Sequence, residues 1–337
     1  MTDREIVFHQ IRHQDTPRVP YTLPFEAPVG EKLDQYYGSP AWRETLKPAI
    51  VGVGAVDTDP KTMIDERYAR DAYGGVWRQD MRPWHLEHPP LPEPDFGDYR
   101  FPEPGEFFRP EMKEQARETC RRNSDKFLVG NLGWGLWERY WNLRGFENAL
   151  MDCVAAPDFF AEALDRLADL YLAFVDYTVD LPVDGILFGD DWGDQRGVTI
   201  GPDRWRKFIK PRWARIYERV HAAGKIVMSH SCGSVAEILP DAIEIGLDVL
   251  ESCQPEAADM NPYELKKNWG DKITFWGALG SQSTIPNGTP EGIRAEIRRL
   301  KSEMPVGGGY ILAPAKPLQP ETPAENAAAI LETFTEP

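Results

Sequence analysis

The stretch Gly224-Lys225-Ile226-Val227-Met228-Ser229-His230-Ser231-Cys232-Gly233 reads as a short buried strand, an apolar run closed by a glycine on each side. His230 and Cys232 stand two residues apart at its C-terminal end, so in extended chain their side chains leave from the same side. Imidazole and thiolate are the two ligands zinc favours, and here one strand end delivers them together. A core histidine beside an inert buried thiol has the same spelling. The neighbouring strand ends bear on which of the two it is.

Working outward, apolar or glycine-flanked strands are predicted at 127–131, 185–189, 226–229, 248–251, 273–276 and 310–313. Segments of helical period lie between them, at 157–179, 202–222, 235–245, 263–269 and 290–304. Pro157, Pro202 and Pro290 suit a helix first turn, and Gly224, Gly246 and Gly270 fall just past helix ends, where left-handed caps are expected. Such alternation points to parallel pairing with right-handed crossovers. Two further strands at 19–23 and 49–53 complete an α/β fold of the (β/α)8 TIM-barrel class, a single domain over 1–337. Residues 77–106 hold Pro83, Pro89, Pro90, Pro92, Pro94, Pro102 and Pro104, and are expected to form a long irregular insertion over the barrel.

Barrel chemistry gathers at the C-terminal strand ends. One such end carries Asp190-Asp191-Trp192 and then Gln195-Arg196, and others carry His230 with Cys232, Glu251 with Cys253 and Gln254, Trp276 through Gln282, and Lys316. Asp190, Gln195 and Arg196 are the expected catalytic set, with Asp190 as a general acid or as an orienter behind the ligands. Asp190 is expected to face the cavity, with Arg196 bracing the loop. The Asp190-Asp191 pair suits a helix N-terminal cap equally well. Trp134, Trp192, Gln254, Trp276, Gln282 and Lys316 are the expected pocket lining.

Composition bounds the partners. A net charge of -16 over 337 residues argues against a phosphate-binding face for nucleic acid. No segment approaches the roughly 20 apolar residues of a membrane span, and the N-terminus shows no apolar signal core. The four cysteines have no disulfide-framework spacing, so a reduced, cytoplasmic setting is expected.

His230-Ser231-Cys232-Gly233-Ser234-Val235, Gln254-Pro255-Glu256-Ala257, Phe275-Trp276-Gly277, Gly307-Gly308-Gly309-Tyr310 running to Pro314, and Gln319-Pro320-Glu321-Thr322-Pro323 together resemble the uroporphyrinogen decarboxylase superfamily. The resemblance implies a (β/α)8 barrel and either of two chemistries: cofactor-free decarboxylation of a porphyrinogen, or zinc-dependent methyl transfer between a corrinoid and a thiol. The decarboxylases carry an arginine-rich Met-Arg-Gln-Ala-Gly-Arg motif after the first strand, where this chain reads Pro24-Phe25-Glu26-Ala27-Pro28. The methyltransferase branch has a His-x-Cys pair, matched by His230 and Cys232, and a second cysteine at the last strand end, where this chain reads Ala313-Pro314-Ala315-Lys316. Cys253 is the expected replacement, with Asp190 and Glu251 as carboxylate options. The expected function is therefore zinc-dependent methyl or alkyl transfer from a small substrate to a thiol or to a corrinoid on a partner protein. A decarboxylase in which Asp190 and Arg196 hold a carboxylated substrate is the alternative, and a non-catalytic corrinoid-binding subunit is a third reading.

Overall fold

The computed structural model describes residues 1–336. Its strands are β1 (Ile50–Val53), β2 (Lys61–Met63), β3 (Tyr68–Asp71), β4 (Val76–Arg78), β5 (His85–His88), β6 (Phe127–Trp134), β7 (Gly185–Gly189), β8 (Ile226–His230), β9 (Val249–Ser252), β10 (Thr274–Leu279) and β11 (Tyr310–Pro314). Seven of them form one parallel sheet in the order β1-β6-β7-β8-β9-β10-β11. Strand order follows chain order, as successive right-handed crossovers require.

The eighth strand expected at 19–23 is reduced to an isolated bridge between Tyr21 and Leu312. Pro20 and Pro24 lack the N–H groups a longer ladder would use. The segment still reaches both edges of the sheet: Leu312 N–H donates to the Pro20 carbonyl at 2.9 Å and Ala49 N–H to the Tyr21 carbonyl at 2.9 Å. Nor is the proline-rich insertion irregular throughout. β2–β5 make a four-stranded antiparallel sheet that begins before residue 77, and irregular chain follows from about Pro89.

The helices fall close to expectation, at Pro157–Val179, Lys210–Ala222, Leu239–Glu244, Pro262–Trp269 and Pro290–Glu303. The segment 202–222 is broken: a π turn at Trp205–Ile209 precedes the helix, just before Pro211, whose missing N–H cannot continue the regular ladder. Gly224 and Gly246 are left-handed, at φ 70° and 98°. Gly270 is not, ending its helix at φ -68°. No helix among the described residues is long and apolar enough to cross a membrane.

Two apolar layers follow from strand parity. Ile50, Phe127, Val129, Ile226, Met228, Val249, Trp276, Ile311 and Ala313 point to the inside of the curved sheet, where Val7 and Ile11 of the helix Asp3–Ile11 join them. Alternate residues such as Ile186, Phe188, Val227, Leu250 and Phe275 point outward into the helical layer. This two-residue alternation decides which polar groups face the interior at the strand ends.

Candidate metal centre

Register places Gly189, His230, Glu251, Trp276 and Ile311 in one row across five adjacent strands, a row that starts at the C-terminal ends of β7 and β8 and reaches β11 near its first residues. On β8, Ile226 and Met228 face inward, so His230 does too. On β9, Val249 faces inward, and Glu251 follows it. The Glu251 carboxylate pairs with His230 Nδ1, which fixes the ring and turns Nε2 toward the loop beyond β8.

In that loop Cys232 Sγ lies 3.3 Å from His230 Nε2, and Asp191 Oδ1 lies 3.5 Å from the same nitrogen. Cys232 N–H donates to Asp191 Oδ1 at 2.8 Å, tying the two donors to each other. One ligand atom from each of Asp191, His230 and Cys232 lies within 4.8 Å of the other two. Ligands on a tetrahedral zinc, bonded at the usual N, O and S distances, stand about 3.3–3.6 Å apart, so the donor set fits that ion in chemistry and the two distances from His230 Nε2 fit it in spacing. The loop is held tightly: Gly233, at φ 76°, brings its backbone against Gly193, and a Cβ there would stand 2.5 Å from the Gly193 carbonyl. Gln254 Oε1 accepts from Gly233 N–H at 3.1 Å.

Burial opposes charge on His230, but the Glu251 carboxylate, Asp191 and Cys232 outweigh it and hold the imidazole well above its ordinary range. Burial likewise pushes Asp191 up, and the His230 charge beside it brings the carboxyl below the ordinary range. Glu138, on the helix Leu136–Arg144, is 8 % exposed, and its carboxylate makes no hydrogen bond or ion pair among the described residues. Burial, reinforced by the charges of Asp191 and Asp190, pushes it up to about 8.

Asp190 does not face the cavity. Leu187, Gly189 and Asp191 share the inner side of the sheet, so Asp190 points outward and is fully buried. Its Oδ1 accepts the backbone N–H groups of Trp137 (2.9 Å) and Glu138 (3.1 Å), and its Oδ2 the indole N–H groups of Trp192 (2.7 Å) and Trp213 (2.9 Å). Burial lifts this carboxyl to about 7 in spite of those donors. Of its two sequence readings, the helix cap is the one the structure holds. Trp192 is consequently core, 2 % exposed against Trp205, and not pocket wall.

Arg196 braces its loop through Asp194 at 3.1 Å, with no contact to Asp190, and its side chain is 90 % exposed. Gln195 and Gln282 are exposed. Cys253 stands apart from the converging donors. Positive φ at Ser252 (88°) and Cys253 (47°) breaks the strand alternation and turns the thiol into the outer apolar layer, where burial pushes it up to about 12. Trp276 lies inside the sheet with its indole N–H on Thr22 Oγ1 at 2.9 Å, while half-buried Trp134 packs between Trp77 and Trp141. Lys316 is exposed beyond β11, and its charge reaches Asp191. Asp191 was visible as one of a carboxylate pair, and parity along β7 singles it out. Glu138 left no mark in the sequence.

Residues 108–337 match the uroporphyrinogen decarboxylase (URO-D) family. The chain belongs to that family. Over 178 residues, 53% of this chain and 49% of the relative, it is 29% identical to the methylcobamide:CoM methyltransferase MtaA of Methanosarcina barkeri. A uroporphyrinogen decarboxylase from Saccharophagus degradans is 22% identical over 188 residues, 53% of this chain and 49% of that one. The chain thus matches about half the length of each of these curated relatives. Among solved structures, a methyltransferase from Methanosarcina mazei superposes with a TM-score of 0.71 at 19% identity, covering 99% of this chain and 98% of that one. This places the whole URO-D-family chain in the same fold.

Proposed function

We propose that this URO-D-family protein is a zinc-dependent methyltransferase, moving a methyl group between a small substrate and a thiol or a corrinoid carried by a partner protein. The observation that carries the reading is the convergence of Asp191, His230 and Cys232 on the inner face of the strand ends. The similarity to a methylcobamide:CoM methyltransferase supports it. In this assignment His230 Nε2, Cys232 Sγ and an Asp191 oxygen hold the ion. Asp191 takes the place of the second cysteine of the methyltransferase branch, and Cys253 has no part. Zinc bound there would supply Lewis acidity, keeping an incoming thiol ionised at neutral pH.

The remaining work falls to this chain. Glu251 accepts from His230 Nδ1 and so keeps Nε2 turned toward the donors. The Asp191 bond to Cys232 N–H fixes the loop that carries the thiolate. Gln254 holds the following turn through Gly233, and Trp276 closes the floor. Methyl transfer itself is a displacement: the acceptor lone pair forms the new bond to the methyl carbon as the bond to the leaving atom breaks, and that atom keeps the electron pair. Porphyrinogen fits poorly, because eight carboxylates would meet Glu138, Asp191 and Glu251, with Arg196 turned away and engaged by Asp194.

The test is methylcobalamin with a small thiol, and the zinc-loaded protein in catalytic amount. Loss of the cobalt–carbon absorbance with formation of the methyl thioether, abolished in Cys232→Ser, is expected. Turnover of uroporphyrinogen to decarboxylated products instead would overturn the proposal and establish the decarboxylase reading.

A further inference from the structure

The inner side of β1 is bare. Val51 and Val53 pack outward, so Ile50, Gly52 and Gly54 face the interior. Both glycines are exposed, and a Cβ built on either would meet no atom within 4 Å. Neither has a positive φ, so backbone strain does not explain why glycine stands at these positions. On the neighbouring strand Asn131, inward-facing above Val129, is exposed as well. A strand interior that would ordinarily be filled by side chains is left open here.

The walls of this opening are apolar below and acidic above. Val129, Leu187 and Trp276 form its lower side. Glu138, Asp191 and Glu251 lie around His230 at the strand ends, and the Glu138 carboxyl has no partner among the described residues. Cations nearby are engaged elsewhere: Arg139 with Asp59 at 3.0 Å, and Arg196 with Asp194 at 3.1 Å. Lys316 is the exception, and it is exposed at the rim.

We infer that the well over Gly52, Gly54 and Asn131 seats a small uncharged substrate with an apolar body, which rests on Val129, Leu187 and Trp276 beneath the Asp191–His230–Cys232 donors. The inference deepens the methyl-transfer reading by naming the class of substrate, and rests on it for the substrate's role. Asn131 offers an amide on that side, its Oδ1 already accepting from Gly133 N–H at 2.9 Å. A carboxylate on the substrate would meet Glu138, Asp191 and Glu251, while the positive charge at the donors is already matched, His230 by Glu251 and a bound zinc by Asp191 and the Cys232 thiolate.

The experiment is calorimetric titration of the full chain with anisole, a neutral methyl ether, and with benzoate, an anion of similar size. The proteins are wild type, Gly52→Val and Gly54→Val. Saturable anisole binding is expected, at least about tenfold tighter than benzoate and weakened at least about tenfold by each valine. Zinc content should stay unchanged in both variants and the melting temperature should not fall, since a Cβ at either position meets no atom within 4 Å. Benzoate binding as tight as anisole, no saturable anisole binding, or unchanged anisole affinity in Gly52→Val would each overturn the inference. If anisole binds and Gly52→Val weakens it, yet no methyl transfer occurs with any acceptor, the well stands and the methyl-transfer reading falls.

Discussion

Asp190→Ala is expected to weaken the fold and not merely the chemistry. The Asp190 carboxylate is fully buried and accepts four N–H groups, two from the first turn of the helix Leu136–Arg144 and two from the indoles of Trp192 and Trp213. Removing a helix cap costs about 1 kcal/mol. Each indole N–H left buried without an acceptor costs about 1–3 kcal/mol. Relaxation of the cavity returns part of this, so a net loss of about 3–5 kcal/mol is expected. At roughly 2 °C per kcal/mol for a chain of this size, the melting temperature should fall by about 6–10 °C. Asp190→Asn should lie between, because its amide keeps one acceptor oxygen for the backbone pair but turns donors toward the indoles. Thermal unfolding followed by far-UV circular dichroism, beside zinc content, is the assay. An Asp190→Ala protein that melts with wild type and loses only activity would refute the structural assignment and return Asp190 to the chemistry.

Glu251→Gln should keep the fold but weaken zinc binding about 10–100-fold, measured by competition with a chromophoric chelator, because the carboxylate that orients His230 is lost. Cys253→Ala should retain full zinc, with a stability change of about 1 kcal/mol in denaturant titration, since a small buried side chain is shortened in the outer layer. Glu138 adds a pH dependence. Its folded pKa, raised to about 8, lies above the ordinary value of 4.5, so the folded state binds the extra proton and stability falls as pH rises through that window. Glu138→Gln should flatten this slope in the zinc-free protein and be the more stable of the two at pH 9; parallel stability–pH curves would contradict the placement of Glu138.

The parallel sheet was legible because its strands are largely buried and read as apolar runs broken by glycine, as at Gly185–Gly189 and Tyr310–Pro314. The expected strand at 19–23 has the right apolar residues, but Pro20 and Pro24 limit it to one bridge. The insertion hid its sheet because proline density dominates the reading, while β2–β5 are short and half-exposed. At the site, spacing alone puts His230 and Cys232 at one strand end, but the same spelling serves a core histidine beside a buried thiol, and only the fold adds Asp191 to the pair. Asp190 and Asp191 could be told apart only by carrying the parity of Leu187 forward two residues and then two more. Cys253 was unreachable in this way, since two consecutive non-glycine residues with positive φ reset the alternation. Glu138 reaches the centre through helix placement, which depends on tertiary contacts with Asp190 and on no local pattern.

Elemental analysis of purified wild-type protein, Asp191→Ala, Cys232→Ser and Cys253→Ala tests the centre most directly. About one zinc per wild-type chain is expected, retained in Cys253→Ala and largely lost in Asp191→Ala and Cys232→Ser. A wild-type protein that transfers methyl groups at full rate with no zinc, or one that loses its zinc on Cys253→Ala and keeps it on Asp191→Ala, would contradict the Asp191–His230–Cys232 centre.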